Sequence, residues 1–212
     1  MEIVYLGHSS FIIKDSKGRS LLTDPFDESL GYPLTTEKVD LVTISHHHSD
    51  HDFTKGLQSN PIILDKIGSF NFLNIPILGF PSYHDSSKGS KRGPNTIYLF
   101  EMDGYKLCHL GDLGHILDIN IIDMLGSIDI LFIPVGGNYT LNGKEAFEVC
   151  NSLKSHIVIP IHYKTHYTKY PIDGLEEFLS YMKNGEKISS SSLKLSEKLV
   201  GTNIIKILNS KL

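Results

Sequence analysis

Basic charge is scarce in this chain: 20 lysines and arginines face 24 aspartates and glutamates, a formal net charge of −4. That balance offers no broad electrostatic footprint for a nucleic-acid backbone. Cysteine is nearly absent. Cys108 and Cys150 make no C-x-x-C pair and are too few for a disulfide framework, so free thiols in a reducing compartment are expected. No apolar run is long enough to cross a bilayer, and Met1-Glu2-Ile3-Val4-Tyr5 lacks the basic start and apolar stretch of a secretion signal. A cytoplasmic protein with no membrane partner is the expectation. No linker or tandem repeat divides the 212 residues, 40% hydrophobic and 21% charged, and they read as a single domain over 1–212.

Short apolar runs of strand length fill the first half. Glu2–Leu6, Ser10–Lys14 and Ser20–Thr23 predict consecutive antiparallel strands, the last two joined by a turn at Asp15–Gly18. Val39–Ser45 reads as a buried strand that runs straight into a histidine cluster, after which Asp52 is placed to cap a short helix over Phe53–Leu57. Further strands are expected at Pro76–Phe80, Thr96–Glu101, Tyr105–Leu110, Asp129–Val135, Ile157–Ile161 and Ile204–Leu208. Apolar residues at helical spacing predict helices over Ile116–Leu125, Lys144–Lys154 and Asp173–Lys183, and Ser189–Ser192 reads as a loop.

What the chain has in abundance is imidazole and carboxylate at strand ends. His46-His47-His48-Ser49-Asp50-His51 reads H-x-H-x-D-H; His84, Asp112 and His162 each follow a later predicted strand. Such residues make poor core material and good ligands for a divalent ion. Side chains two apart in extended backbone point the same way, so His46 and His48 can grip one ion. Asp50 and His51, beyond the bend, can reach a second, while His47 and Ser49 point elsewhere. Strand after strand ending in such a residue places the site along one sheet edge.

This order of motifs resembles the metallo-β-lactamase superfamily. The H-x-H-x-D-H loop is followed by an isolated histidine in Pro81-Ser82-Tyr83-His84-Asp85, an aspartate in His109-Leu110-Gly111-Asp112, and a last histidine in Pro160-Ile161-His162-Tyr163. Tyr5-Leu6-Gly7-His8-Ser9-Ser10-Phe11 and Leu22-Thr23-Asp24-Pro25 look like its first strands, so the likeness covers nearly the whole chain. Arg92–Thr96, His109–His115 and Gly136–Thr140 look closest to the branch of ascorbate-6-phosphate lactonase-like proteins and related metal-dependent hydrolases. The resemblance implies an α/β (α+β) fold, a four-layer αββα sandwich of two mixed sheets flanked by helices. It also implies two divalent ions, zinc first, with manganese or iron as alternatives. His46, His48 and His84 would hold one; Asp50, His51 and His162 the other; Asp112 would bridge them. A hydroxide shared by such a pair attacks an ester-type bond with no serine or cysteine nucleophile.

Around that set the roles are less determined. Asp50 is also a candidate to orient the hydroxide, and His115 is a candidate catalytic acid, substrate contact or support for a ligand. Asp24 is placed to accept a hydrogen bond from a ligand imidazole. His8 and His109 read as structural, and Asn138 and Tyr139 as substrate contacts or turn residues. Ser86–Arg92 reads as a flexible basic loop, with Lys88, Lys91 and Arg92 suited to an anionic group. The expected partner is a small-molecule substrate such as a lactone or a phosphodiester, with homo-oligomerisation left open. Rivals within the same superfamily are an RNA-processing nuclease, disfavoured by the acidic balance, and a di-iron redox protein, which usually needs a flavin domain. A metal-binding scaffold would want an incomplete ligand set, and this set is complete.

Overall fold

Alternation along each strand decides which surfaces pack together. In the computed structural model, which describes residues 1–211, Ile3 and Tyr5 of β1 (Glu2–Gly7) point into one core while Val4 and Leu6 point into another. β2 (Ser10–Lys14) repeats the division with Phe11 and Ile13 against Ile12. β3 (Ser20–Thr23) does so with Leu21 against Leu22, and β4 (Leu41–Thr43) with Leu41 against Val42. Near-continuous apolar runs of this kind mark strands buried on both faces. With β5 (Ile62–Leu64) and β13 (Ser192–Lys194) they form a six-stranded mixed sheet ordered β13-β1-β2-β3-β4-β5.

The second sheet has eight strands. β6 (Gly68–Phe72), β7 (Ile75–Tyr83), β8 (Pro94–Met102) and β9 (Tyr105–His109) run as antiparallel neighbours. From β9 the order continues in parallel through β10 (Ile130–Pro134), β11 (Ile157–Ile161), β14 (Ile204–Leu208) and β12 (Gly185–Ile188). Ile130 and Phe132 face the first sheet; Leu131 and Ile133 face three helices. These are α1 (Ile119–Leu125), α2 (Gly143–Leu153) and α3 (Glu176–Met182), which cover the outer face with Leu125, Ala146, Val149, Leu153 and Phe178. Asn142 caps α2 and forms a reciprocal capping box with Glu145.

The two mixed sheets face to face with helices outside are the expected sandwich. Its outer layer on the smaller sheet is built differently from its counterpart: among the described residues, Phe26, Leu30, Tyr32 and Val39 cover it from irregular chain with a single 3-10 turn at Glu28–Leu30. The helix expected over Phe53–Leu57 does not form. Asp52 lies in a turn whose N–H groups close back on His48, Pro25 carries the acceptor for Phe53 N–H, and the chain then continues through bends. α1 and α3 start at Ile119 and Glu176, three residues later than the periodicity suggested. Asp118 stops α1 from extending backwards, because its side chain accepts from the N–H groups of Asn120 and Ile121.

Four of the strands that matter most end on one edge. β9, β10 and β11 are parallel, so their C-termini align, and pairing Phe11 with Thr23 sets the β1–β2 turn beside the end of β3. Phe132 is fully buried between the sheets and its ring lies 4.6 Å from that of Phe11. Truncation there leaves a cavity in the layer that joins the sheets. Phe132→Ala is expected to cost about 3–5 kcal/mol, measured as a lowered urea midpoint with an unchanged m-value.

Candidate metal centre

β4 stops at Thr43, and Ser45 turns the chain into the histidine loop. Asp24, just past β3, holds that turn: its Oδ1 accepts the Ser45 N–H at 2.8 Å and its Oδ2 the Ser45 hydroxyl at 2.6 Å. The N–H groups of His51 and Asp52 both donate to the His48 carbonyl, at 2.9 and 3.1 Å, so the loop doubles back. That return brings the His51 ring to 4.3 Å from the His46 ring.

Asp112 is delivered by an approach only glycine permits. Gly111 has φ of +57°, and a Cβ there would lie 2.4 Å from Asn95 Oδ1 and 2.5 Å from the Ser45 Cβ. The Asp112 N–H donates to Asn95 Oδ1 at 2.9 Å, and the Asn95 amide donates to the Leu110 carbonyl and Ser82 Oγ. His84 follows β7, and His162 follows β11 in a left-handed backbone conformation with φ of +50°.

All these groups converge on one carboxylate oxygen. Asp112 Oδ2 lies 3.1 Å from Nε2 of His84 and of His162, 3.3 Å from Nε2 of His51 and 3.8 Å from Nε2 of His46. His48 turns Nδ1 inward, 3.0 Å from His46 Nε2, and Asp50 Oδ2 is 3.7 Å from His51 Nε2. Three of the outward nitrogens are occupied. His46 Nδ1–H donates to Ser45 Oγ, His51 Nδ1–H to Asp24 Oδ2 and His84 Nδ1–H to the Tyr139 carbonyl, at 2.9, 2.9 and 3.0 Å. An imidazole committed on one side this way presents a lone pair on the other. Lone pairs facing a carboxylate repel unless positive charge sits between them.

Burial, with the charge of His51 next, pushes His46 down to about 2, so it stays neutral. Burial opposes the charge on Asp112, yet His162 and His51 hold its carboxyl well below the usual range. Asp50 shows the same balance: burial raises its pKa, and the neighbouring His51 and His8 imidazoles pull it lower still. His51 goes the other way, since Asp112 and Asp50 outweigh burial and raise it well above an ordinary histidine. Buried Asp112 Oδ1 and His51 Nε2 have no hydrogen-bond partner, which is the signature of donor atoms waiting for a cation. The donor groups sort into His46, His48 and His84 on one side and His8, Asp50, His51 and His162 on the other.

Residues 2–162 match the Beta-lactamase superfamily domain. The chain belongs to the beta-lactamase superfamily. A UPF0173 metal-dependent hydrolase of Pelotomaculum thermopropionicum is 30% identical over 198 residues, covering 78% of this chain and 85% of that one. Another from Methanocorpusculum labreanum is 32% identical over 190 residues, covering 78% and 84%. Among solved structures, a candidate Zn-dependent hydrolase of the metallo-beta-lactamase superfamily from Thermotoga maritima superposes with a TM-score of 0.83 at 34% identity, covering 98% of each chain. The protein is thus a metal-dependent hydrolase of the beta-lactamase superfamily, with its His/Asp cluster where metal would bind.

In this superfamily member the surroundings of the cluster revise several sequence expectations. His115 does not reach the cleft: its Nε2 accepts from the Tyr83 N–H at 3.3 Å and its Nδ1–H donates to the Ile116 carbonyl at 2.9 Å. Both of its nitrogens are engaged by backbone. Asn138 is likewise turned away, its amide donating to the Pro171 carbonyl. His47 is exposed and pairs with Asp52, outside the cluster. The basic loop is organised around Asp85, whose carboxylate accepts the N–H groups of Ser87, Gly89, Lys91 and Arg92. Those bonds hold the Asp85 carboxyl low although burial works the other way. Lys88 and Lys91 are exposed, while half-buried Arg92 leans over the Tyr139 ring at 4.1 Å. The cleft above the cluster, about 420 Å³, is lined by Arg92, Tyr139 and Tyr170 together with His48, Asp50, His84, Asp112 and His162.

Sequence reasoning missed Asn95 and Tyr170, and assigned His8 a structural role although its ring joins the cluster. Asn95 carried no local signal beyond its place in Arg92–Thr96, because its partners come from β7 and β9. The Asp24–His51 bond has a direct test. Asp24→Asn should weaken metal binding about 10–100-fold in a chelator competition, the usual cost of losing a partner that orients a ligand. An unchanged affinity would show that Asp24 serves only the Ser45 turn.

Proposed function

We propose that this protein is a dinuclear metal hydrolase that cleaves a small ester-like substrate, a lactone or a phosphodiester, bearing an anionic group. The observation that carries the reading is the convergence of four imidazole Nε2 atoms on Asp112 Oδ2 at the floor of an open cleft. One carboxylate with two sets of nitrogen donors around it suits two ions, His46, His48 and His84 holding one and Asp50, His51 and His162 the other. Bound there, a pair of divalent ions would lower the pKa of a shared water and polarise the oxygen of the bond under attack. Zinc suits this N/O donor set, and manganese or iron accept it too.

The chain's own residues do the remaining work. Asp112, kept ionised by the surrounding imidazoles, neutralises positive charge between the two donor sets. Asp50 lines the cleft with its carboxylate ionised, so it can accept a hydrogen bond from an attacking water and set its direction. Arg92 supplies a fixed cation on the wall, oriented by Tyr139 beneath it and by its own N–H bond to Asp85. A guanidinium in that place recognises a carboxylate or phosphate in two-pronged fashion. The cleft volume of about 420 Å³ suits a small molecule.

Three measurements test the proposal. Purified protein should carry two divalent ions per chain by elemental analysis and lose turnover of lactone, thioester or phosphodiester panels with a chelator. His48→Ala and Asp112→Ala should lose both metal and turnover; full activity in either sinks the site. Arg92→Ala should raise KM for an anionic substrate by about tenfold or more while sparing a neutral analogue, the cost of one charge-assisted hydrogen bond. Equal effects on both substrates would remove Arg92 from recognition.

A further inference from the structure

The tip of the first hairpin is built against the usual chemistry of such turns. β1 and β2 are joined by two residues, His8 and Ser9, with Gly7 paired to Ser10. Two-residue hairpin tips favour Asn or Gly because they need φ above zero, and they normally face water. Here the tip is fully buried, and His8 takes φ of +54°. A non-glycine residue held in that region persists only where its surroundings over-determine it. Both flanking carbonyls are pinned by the second sheet. The His8 carbonyl accepts the His162 N–H at 3.1 Å, and the Ser9 carbonyl accepts His109 Nε2–H at 2.8 Å. Tyr5 adds its hydroxyl to the His8 carbonyl at 3.2 Å.

These bonds aim the imidazole into the metal centre. His8 Nε2 lies 3.3 Å from Asp50 Oδ2, and the His8 ring sits 4.3 Å from that of His162 and 5.3 Å from that of His51. Neither ring nitrogen has a hydrogen-bond partner, although the residue is fully buried. Donor atoms about 2.1 Å from a common ion stand roughly 3.0–3.4 Å apart. The His8–Asp50 separation falls in that range, and His8 Nε2, Asp50, His51 and His162 each place a ligand atom within 4.8 Å of the others. We propose that His8 is a direct ligand of the ion held by Asp50, His51 and His162. This rests on the dinuclear reading above and adds a donor to it.

The consequence is asymmetry between the two ions. With His8, the second position has four protein donors before the shared Asp112 carboxylate is counted, which favours an ion that accepts five or six ligands over four-coordinate zinc. The first position keeps three histidines and Asp112.

Cobalt(II) is the probe. Protein labelled with 15N-histidine and loaded with two equivalents of Co2+ should show six imidazoles carrying the large contact shifts that through-bond coordination produces, those of His8, His46, His48, His51, His84 and His162. Five, with His8 showing only the smaller through-space shift of an uncoordinated neighbour, would overturn the proposal while leaving the dinuclear centre intact; failure to take up Co2+ at all would instead reject the centre itself. His8→Gly preserves the positive φ and removes the ligand. It should bind the second Co2+ about a hundredfold more weakly, with millimolar imidazole restoring much of the loss. Second-ion affinity equal to the parent would contradict the assignment, and because the imidazole count is made on the unaltered protein, it stands even if His8→Gly folds poorly.

Discussion

Everything at the working edge of this molecule answers to the electrostatics of the buried Asp112 carboxylate. An ionised carboxylate taken from water needs positive charge or hydrogen-bond donors close by. Three of the four imidazoles that surround it have committed their protons outward, to Ser45, Asp24 and the Tyr139 carbonyl. The result is a negative centre ringed by lone pairs, stable only with a cation or a proton among them. A raised pKa on His51 and lowered values on Asp50 and Asp112 are two faces of that single requirement.

Meeting it takes both sheets. The smaller sheet contributes the hairpin tip and the histidine loop; the larger contributes His84, Asp112 and His162. Phe11 and Phe132 pack the layer between them, so the register of one sheet against the other is what brings the two ligand groups to a common point. Residues with positive φ gather at the seam: His8, Asp24 and His162 all occupy left-handed backbone that ordinary residues avoid. Each is held there by hydrogen bonds from a neighbouring element, so backbone strain at the edge is offset by the packed layers behind it.

Strands buried on two faces announced themselves through dense apolar runs, and β1 to β3, β9 to β11 and β14 fall close to where those runs lie. The exposed strands did not: Ile62 and Ile63 of β5 are partly in water, and Gly185–Ile188 of β12 reads as polar chain. Their pairing is set by neighbours, which no local pattern reports. The false helix after Asp52 has a related cause. Its apolar residues recur at helical spacing, but Pro25 and His48 claim the N–H groups that a first helical turn would have left free.

The amino-acid sequence alone determined the candidate donor types and their order, because metal chemistry demands imidazole and carboxylate and because strand ends are readable from burial patterns. It also carried the superfamily resemblance and offered Asp24 as a candidate partner for an imidazole of the cluster, a bond the fold makes to His51. Only the tertiary structure decided which histidines share a centre. His8 is separated from Asp50 by 42 positions and from His162 by 154, and no spacing rule links them. The same packing gives both nitrogens of His115, three residues past Asp112, to backbone. Proximity in sequence counts for little at an edge assembled from two sheets; there, membership is settled by which lone pairs the folded backbone leaves unspent.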